Sequence, residues 1–234
     1  MAQQAGITLD PWQERMVQSQ AQNILLNCSR QSGKSTCASV PAVHTAFYEP
    51  KSPVLLLSKA QRQSHELFRK CLDVYKALGG AVNEPEAESA LQLELDNGSR
   101  IISLPGKEDT VRSFSGVKLL IIDEASRVPD ALYMAVLPML AVSGGRIILL
   151  STPFGTRGFF WEAWKQRQAW DYYEVPAEQC PRISPEFLAE MRELMGEWWF
   201  EQEFHCKFMD SETAAFRSAD IERIMQSDIE TWSL

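Results

Sequence analysis

Residues 27–36 read Asn27-Cys28-Ser29-Arg30-Gln31-Ser32-Gly33-Lys34-Ser35-Thr36, close to the pattern of a phosphate-binding loop. A phosphate loop works because backbone N–H groups ahead of a helix converge on phosphate oxygens, a lysine ammonium neutralises the β and γ phosphates, and a hydroxyl ligates magnesium. Gly33, Lys34 and Ser35 keep these three functions, between an apolar run at 23–27 and a helix-like segment at 35–48. The usual pattern has a glycine six residues before the lysine, and Cys28 stands there instead. Cysteine is small enough for such a loop to persist with an altered backbone. A chance Gly-Lys-Ser in a turn is the competing reading, so the rest of the chain must decide.

Two further stretches bear on it. Leu119-Leu120-Ile121-Ile122-Asp123-Glu124 is an apolar strand ending in adjacent carboxylates. Neighbouring side chains on a strand point to opposite sides, so Asp123 and Glu124 cannot do the same job. Asp123 is placed to contact a magnesium shell, and Glu124 to reach the water that attacks a γ phosphate. A solvated acidic turn is the plain alternative, weakened by the loop about 90 residues upstream. Leu149-Leu150-Ser151-Thr152-Pro153 then puts two hydroxyls at the end of another buried run. Strand C-termini line the ligand crevice of an open parallel sheet, which makes Ser151 and Thr152 candidate γ-phosphate sensors.

The runs at 23–27, 53–57, 118–123 and 146–151 are apolar without alternation, as strands buried on both faces of a parallel sheet must be. Leu91, Leu93 and Leu95 do alternate, ahead of Asp96-Asn97-Gly98, which predicts an antiparallel hairpin and hence a mixed sheet. Helices are expected at 35–48, kinked or shortened by Pro41, and at 59–78, ended by Gly79-Gly80. Ser184-Pro185 starts another that runs to Phe204, with Gly196 as its exception. The expected organisation is an α/β core over 1–175, a mostly parallel sheet flanked by helices, with a small helical lid over 176–234.

Composition narrows the class. The 234 residues are 45% apolar and 23% charged, the balance of an ordinary folded globular protein rather than a disordered chain or coiled coil. A net charge of −8 and a pI near 5.0 argue against a broad basic surface for nucleic acid. Five cysteines, odd in number and without a CxxC pair, read as reduced intracellular thiols. His44, His65 and His205 lack metal-like spacing, and no nucleophile elbow suggests a serine hydrolase. Trp161, Trp164, Trp198, Trp199 and Phe200 read as packing rather than base-stacking residues. With no leader and no apolar run approaching about 18 residues, a cytosolic protein without a membrane partner is expected.

In the order and spacing of these motifs the chain resembles the ATPase domain of the large terminase subunit, the genome-packaging motor of tailed bacteriophages. The resemblance covers most of residues 9–160. It rests on Pro11-Trp12-Gln13, on Ser29-Arg30-Gln31-Ser32-Gly33-Lys34-Ser35, on Asp123-Glu124-Ala125 and on Ser151-Thr152-Pro153-Phe154-Gly155. A weaker match, Phe204-His205-Cys206-Lys207-Phe208, resembles the end of the family's ATPase portion.

The resemblance implies an α/β P-loop NTPase of the additional-strand, catalytic-glutamate type. It implies ATP and Mg²⁺ as cofactors, held by Ser29, Arg30, Gln31, Ser32, Gly33, Lys34, Ser35 and Thr36, with Ser35 and Asp123 on the metal. Gln13 would read the adenine edge, or else be a surface glutamine at a helix start. Arg30 would bridge phosphate oxygens or respond to nucleotide state. Glu124, Lys34 and Arg112 would be catalytic, Arg112 as a finger acting on the neighbouring subunit. The family often has Arg-Gly adjacent there, whereas three residues separate Arg112 from Gly116, so Arg127 and Arg157 compete for the role.

The implied function is ATP hydrolysis that drives double-stranded DNA into a procapsid, in a host's cytoplasm. The implied partners are DNA, a portal protein, a small terminase subunit and further copies in a homo-oligomeric ring. Large subunits usually carry a C-terminal nuclease domain, and the chain stops at Leu234, where one would begin; no nuclease activity is expected of this portion. The rivals are a helicase-like remodelling ATPase, which would need a second motor domain, and a nucleotide-dependent assembly module with little hydrolysis.

Overall fold

The computed structural model describes residues 1–79, 85, 87–104 and 114–210. The four apolar runs become parallel strands: β1 (Asn23–Cys28), β2 (Pro53–Leu57), β6 (Leu119–Asp123) and β7 (Arg146–Ser151). The alternating segment supplies the antiparallel pair β4 (Gln92–Glu94) and β5 (Arg100–Leu104), with the two-residue β3 (Ala87–Glu88) beyond it. An eighth strand, β8 (Asp171–Val175), pairs parallel with β1. Its residues alternate in burial at a sheet edge, so no apolar run announces it.

The sheet runs β3-β4-β5-β2-β6-β7-β1-β8. The sequence expectation of a mixed, mostly parallel sheet therefore holds, and β7 is the additional strand between the loop strand β1 and the acidic strand β6. Alternate side chains of each central strand enter different cores. Ile24, Leu26, Val54, Leu56, Leu119, Ile121, Ile148 and Leu150 pack with α1 (Pro11–Gln18), α2 (Lys34–Tyr48) and α3 (Gln61–Ala77). Leu25, Leu55, Leu57, Leu120, Ile122, Ile147 and Leu149 pack with α4 (Asp130–Val136) and α5 (Gly158–Lys165). Each such side chain contributes about 1.5–3 kcal/mol when fully buried, which is why neither face can alternate with polar residues.

The sequence predicts a kink or an early end of α2 at Pro41, but the helix runs through it from Lys34 to Tyr48. Pro41 is itself buried, so tertiary packing outweighs the one helical bond its missing N–H removes. The last described helix, α6 (Pro185–Glu203), starts as its sequence signals. Ser184 caps it, its hydroxyl accepting the Phe187 N–H at 3.2 Å, and Pro185 occupies the first turn. Gly196 breaks the helical path at φ 76°, ψ 161°.

Helix α6 shares a small core with Ala177, made by Leu188, Phe200 and Phe204. Its end is bound to the sheet: Ala177 N–H donates to the Phe204 carbonyl at 2.8 Å, and Asn27 Nδ2 donates to the Cys206 carbonyl at 2.9 Å. All five cysteines are buried and free. Among the described residues, no helix is long and apolar enough to cross a membrane.

Candidate nucleotide site

The loop leaves β1 at Cys28, which is completely buried. Burial pushes its thiol far above the ordinary range despite the opposing pull of Lys34, so Cys28 is a neutral packing residue in the place of the usual glycine. Its peptide is registered opposite Val175, whose carbonyl accepts the Ser29 N–H at 2.9 Å. Beyond that point the Ser32 hydroxyl donates back to the Ser29 carbonyl at 2.9 Å, closing the turn. Gln31 and Gly33 take the left-handed conformation, φ 61° and 84°. The positive φ favours glycine at Gly33, and a Cβ there would lie 2.8 Å from Gln13 Nε2 and 3.4 Å from Arg182 Nη2, pushing the Gln13 amide aside. Helix α2 then begins, its first amides without intrahelical acceptors.

Strand parity explains what faces this helix start. Asp123 continues the series Leu119, Ile121 that points toward α2, and it receives the Ser35 hydroxyl proton on Oδ2 at 3.0 Å. Its other oxygen accepts the Glu124 N–H at 2.8 Å. Burial pushes the Asp123 carboxyl up, Lys34 draws it down and Glu124 raises it again, with a net upward shift. A buried carboxylate in contact with a hydroxyl is a donor set suited to a hard, oxygen-seeking cation, so Ser35 and Asp123 fit Mg²⁺. Among the described residues, no cluster of three His, Cys, Asp or Glu side chains forms a metal cage.

Glu124 leaves the strand in the left-handed conformation, φ 51°, ψ 42°. For a residue with a Cβ this costs roughly 1–2 kcal/mol, strain of the kind held at functional sites. It brings Glu124 Oε1 to 3.5 Å from the buried Lys34 Nζ. Two residues on, the Ser126 hydroxyl meets Ser151 Oγ at 2.8 Å and donates to the Thr152 carbonyl at 2.8 Å, and Ser126 N–H donates to Ser151 Oγ at 3.2 Å. The ends of β6 and β7 are thereby joined.

Gln13 is buried and committed at both ends of its amide. Its Oε1 accepts the Asp10 N–H at 2.9 Å, and its Nε2 approaches the Ser32 and Gly33 carbonyls at 3.3 and 3.5 Å. Arg182 adds a second clamp on the same loop. Its guanidinium holds both Asp10 oxygens, at 2.9 and 2.7 Å, and donates to the Ser32 carbonyl at 3.2 Å.

Of the remaining residues singled out by sequence, Arg30 is exposed and pairs with Glu203 at the end of α6. Gln31 is exposed, and the Thr36 hydroxyl accepts from Lys70 Nζ at 2.8 Å, which turns it toward α3. Arg112 lies outside the described residues. Of its competitors, Arg127 stacks on Phe154, 4.0 Å from the ring centroid, while Arg157 is exposed ahead of α5. Sequence reasoning missed Asp10, Ser126, Arg182 and Glu203. Asp10 carries a helix-cap signal beside Pro11 and Gln13; Arg182 and Glu203 meet the loop, and Ser126 meets the end of β7, only through long-range folding.

Residues 25–223 match the family model described as terminase large subunit, T4likevirus-type, N-terminal. The chain belongs to the terminase large-subunit family. Large terminase subunits of Thermus phage G20c and Thermus virus P23-45 are each 28% identical to it over 149 residues, a region that is 56% of this chain and 31% of theirs. The chain thus spans under a third of the length of these curated relatives. The solved ATPase domain of the Thermus phage P74-26 large terminase superposes with a TM-score of 0.80 at 21% identity, covering 89% of this chain and 97% of that one. The large terminase of another thermophilic bacteriophage gives 0.71 at 12% identity, over 86% of this chain and 54% of its own. At such identities these likenesses show a shared terminase fold. That second terminase has also been solved with ADP and with ATP-γ-S.

Proposed function

We propose that this terminase domain binds ATP with Mg²⁺ and hydrolyses it to drive double-stranded DNA into a procapsid. The observation that carries the reading is the convergence of Lys34 and Ser35, at the start of α2, on Asp123 and Glu124, at the end of β6: Ser35 to Asp123 is 3.0 Å and Lys34 to Glu124 is 3.5 Å. Family membership and the nucleotide complexes of the second solved terminase support it.

In this reading the loop amides from Gln31 to Ser35 cradle the phosphates, the Ser29 and Arg30 amides being held by the Val175 and Glu203 carbonyls, and Lys34 neutralises them. Ser35 and Asp123 hold Mg²⁺, which would supply charge neutralisation at the phosphates. Glu124 orients the attacking water and takes its proton, which requires it to exchange Lys34 for that water as the lysine turns to phosphate. Ser151 and Thr152, tied to the acidic loop through Ser126, sense the γ phosphate. Gln13 holds the loop and, once nucleotide competes for its amide, reads the adenine edge. Residues 176–234 serve as the lid that moves with nucleotide state. The working form is a homo-oligomeric ring on a portal, supplied with DNA by a small subunit, with Arg112 reaching the neighbouring site.

ATP turnover across protein concentration, with and without assembly on a portal, tests the proposal. Wild type should bind and hydrolyse ATP. Glu124→Gln should bind it with similar affinity and turn over 10²–10⁴-fold more slowly, the usual contribution of a positioned general base. A wild type that binds but never hydrolyses, even assembled, rules out the motor. A fully active Glu124→Gln removes the glutamate from the chemistry.

A further inference from the structure

Lys70, in the middle of α3, reaches across to the start of α2, where its Nζ donates to the Thr36 hydroxyl at 2.8 Å. Among the described residues, the half-buried ammonium has no other partner, and Asp73 has none at all. Lys70 and Asp73 stand one turn apart on α3, the spacing of a helical ion pair, yet the lysine turns to a hydroxyl instead. Without an anion that direction is unfavourable, because a helix N-terminus carries about half a positive charge. The buried Lys34 lies at the same end of α2. Lys70 also lines a cavity of about 220 Å³, where Ala5, Ile7 and Val74 give an apolar wall and Thr36 and Asp73 add polar groups. Pockets that enclose a whole ligand start at about 300 Å³, so this one admits part of a ligand whose remainder lies elsewhere.

The phosphate loop is where the remainder fits. Cys37 N–H is the first in α2 to bond back, to the Gly33 carbonyl at 2.9 Å, so Thr36 carries the last amide without an intrahelical acceptor. With the β and γ phosphates on Lys34 and the amides before it, the α phosphate comes against Thr36, beside Lys70. We propose that this cavity seats the inner end of the nucleotide: Lys70 pairs with the α phosphate, and Asp73 accepts the ribose hydroxyls, as a carboxylate does in other nucleotide sites. This rests on the nucleotide reading above and extends it from the loop to α3, a helix that carries no part of the loop's motif. Neither side chain touches an atom that reacts, so the seat holds ATP and ADP alike.

Calorimetric binding of ADP, 2′-deoxy-ADP and pyrophosphate, each with Mg²⁺, to the whole chain as wild type, Lys70→Met and Asp73→Ala tests the seat. Lys70→Met should bind ADP about tenfold more weakly, the lower end of what a hydrogen bond to a charged group contributes. Its affinity for pyrophosphate, which Lys34 and the loop amides suffice to hold, should be unchanged. Its Tm without ligand should be no lower than that of wild type, because the change takes a cation away from a helix N-terminus. Wild type should prefer ADP to 2′-deoxy-ADP several-fold, and Asp73→Ala should abolish that preference. A lysine that only braced α3 against α2 would, when lost, lower Tm and weaken pyrophosphate as much as ADP. That pattern, an unchanged ADP affinity in Lys70→Met, or a wild type indifferent to the ribose hydroxyl overturns the seat and leaves the loop site standing. Wild type that binds neither ADP nor pyrophosphate overturns the nucleotide reading and the seat together.

Discussion

Asp123 and Glu124 are neighbours with opposite situations. Asp123 points into the α2 face and is buried, whereas Glu124 turns out of the strand through a left-handed residue. Because burial raises the Asp123 pKa, its ionised form costs stability. The cost is absent below the ordinary value of 3.8 and grows as pH rises through the raised folded-state value. Asp123→Asn should therefore raise stability at neutral pH, seen as a higher Tm, and lose that advantage in acid. Its ATP turnover should fall to background, because the proposed metal ligand is gone. Thermal unfolding across pH beside an activity assay checks both. Division of labour between the two carboxylates was legible from strand parity alone; the strained turn at Glu124 and its contact with Lys34 were not, since they depend on where α2 begins.

Elements show the same division. The four central strands and the start of α6 follow local signals: unbroken apolar runs, and Ser-Pro at a cap. Strand β8 was invisible because an edge strand needs only one apolar face, and Pro41 does not end α2 because the packing of that helix outweighs a local breaker. Gly196 is a position where intuition about helices gives the wrong sign. In a regular helix Gly→Ala gains about 1 kcal/mol, but here φ 76° and ψ 161° lie in a region reserved for glycine. An added Cβ at Gly196 would meet nothing within 4 Å, so the penalty is purely conformational. Gly196→Ala should destabilise by about 1–3 kcal/mol in denaturant unfolding. A gain in stability would show that α6 can straighten at no cost.

For the molecule as a whole, the net charge of −8 leaves little general attraction for DNA, so the proposed motor would act on DNA through its assembled ring. Arg112 belongs to this scale. If it acts on the neighbouring site, Arg112→Ala should lose 10³–10⁵ in turnover, as other arginine fingers do. Mixing it with Glu124→Gln should restore part of the activity, because some interfaces then pair an intact glutamate with an intact arginine. Activity measured across mixing ratios checks this; no recovery in assembled rings would assign the role within one subunit or to another arginine.

The mostly parallel α/β sheet, the phosphate loop despite Cys28, and the order loop, acidic pair, hydroxyl pair were all legible in the chain. Each is written in short-range terms: apolar runs, a glycine before a lysine, carboxylates at a strand end. Folding then has Gln13 and Arg182 clamp the loop, Ser126 tie two strand ends together, and Glu203 gather Arg30 and Arg127. Those pairings join residues up to 173 positions apart in the chain. No local pattern encodes such a contact, because what selects it is the burial of a charge that only the folded core creates.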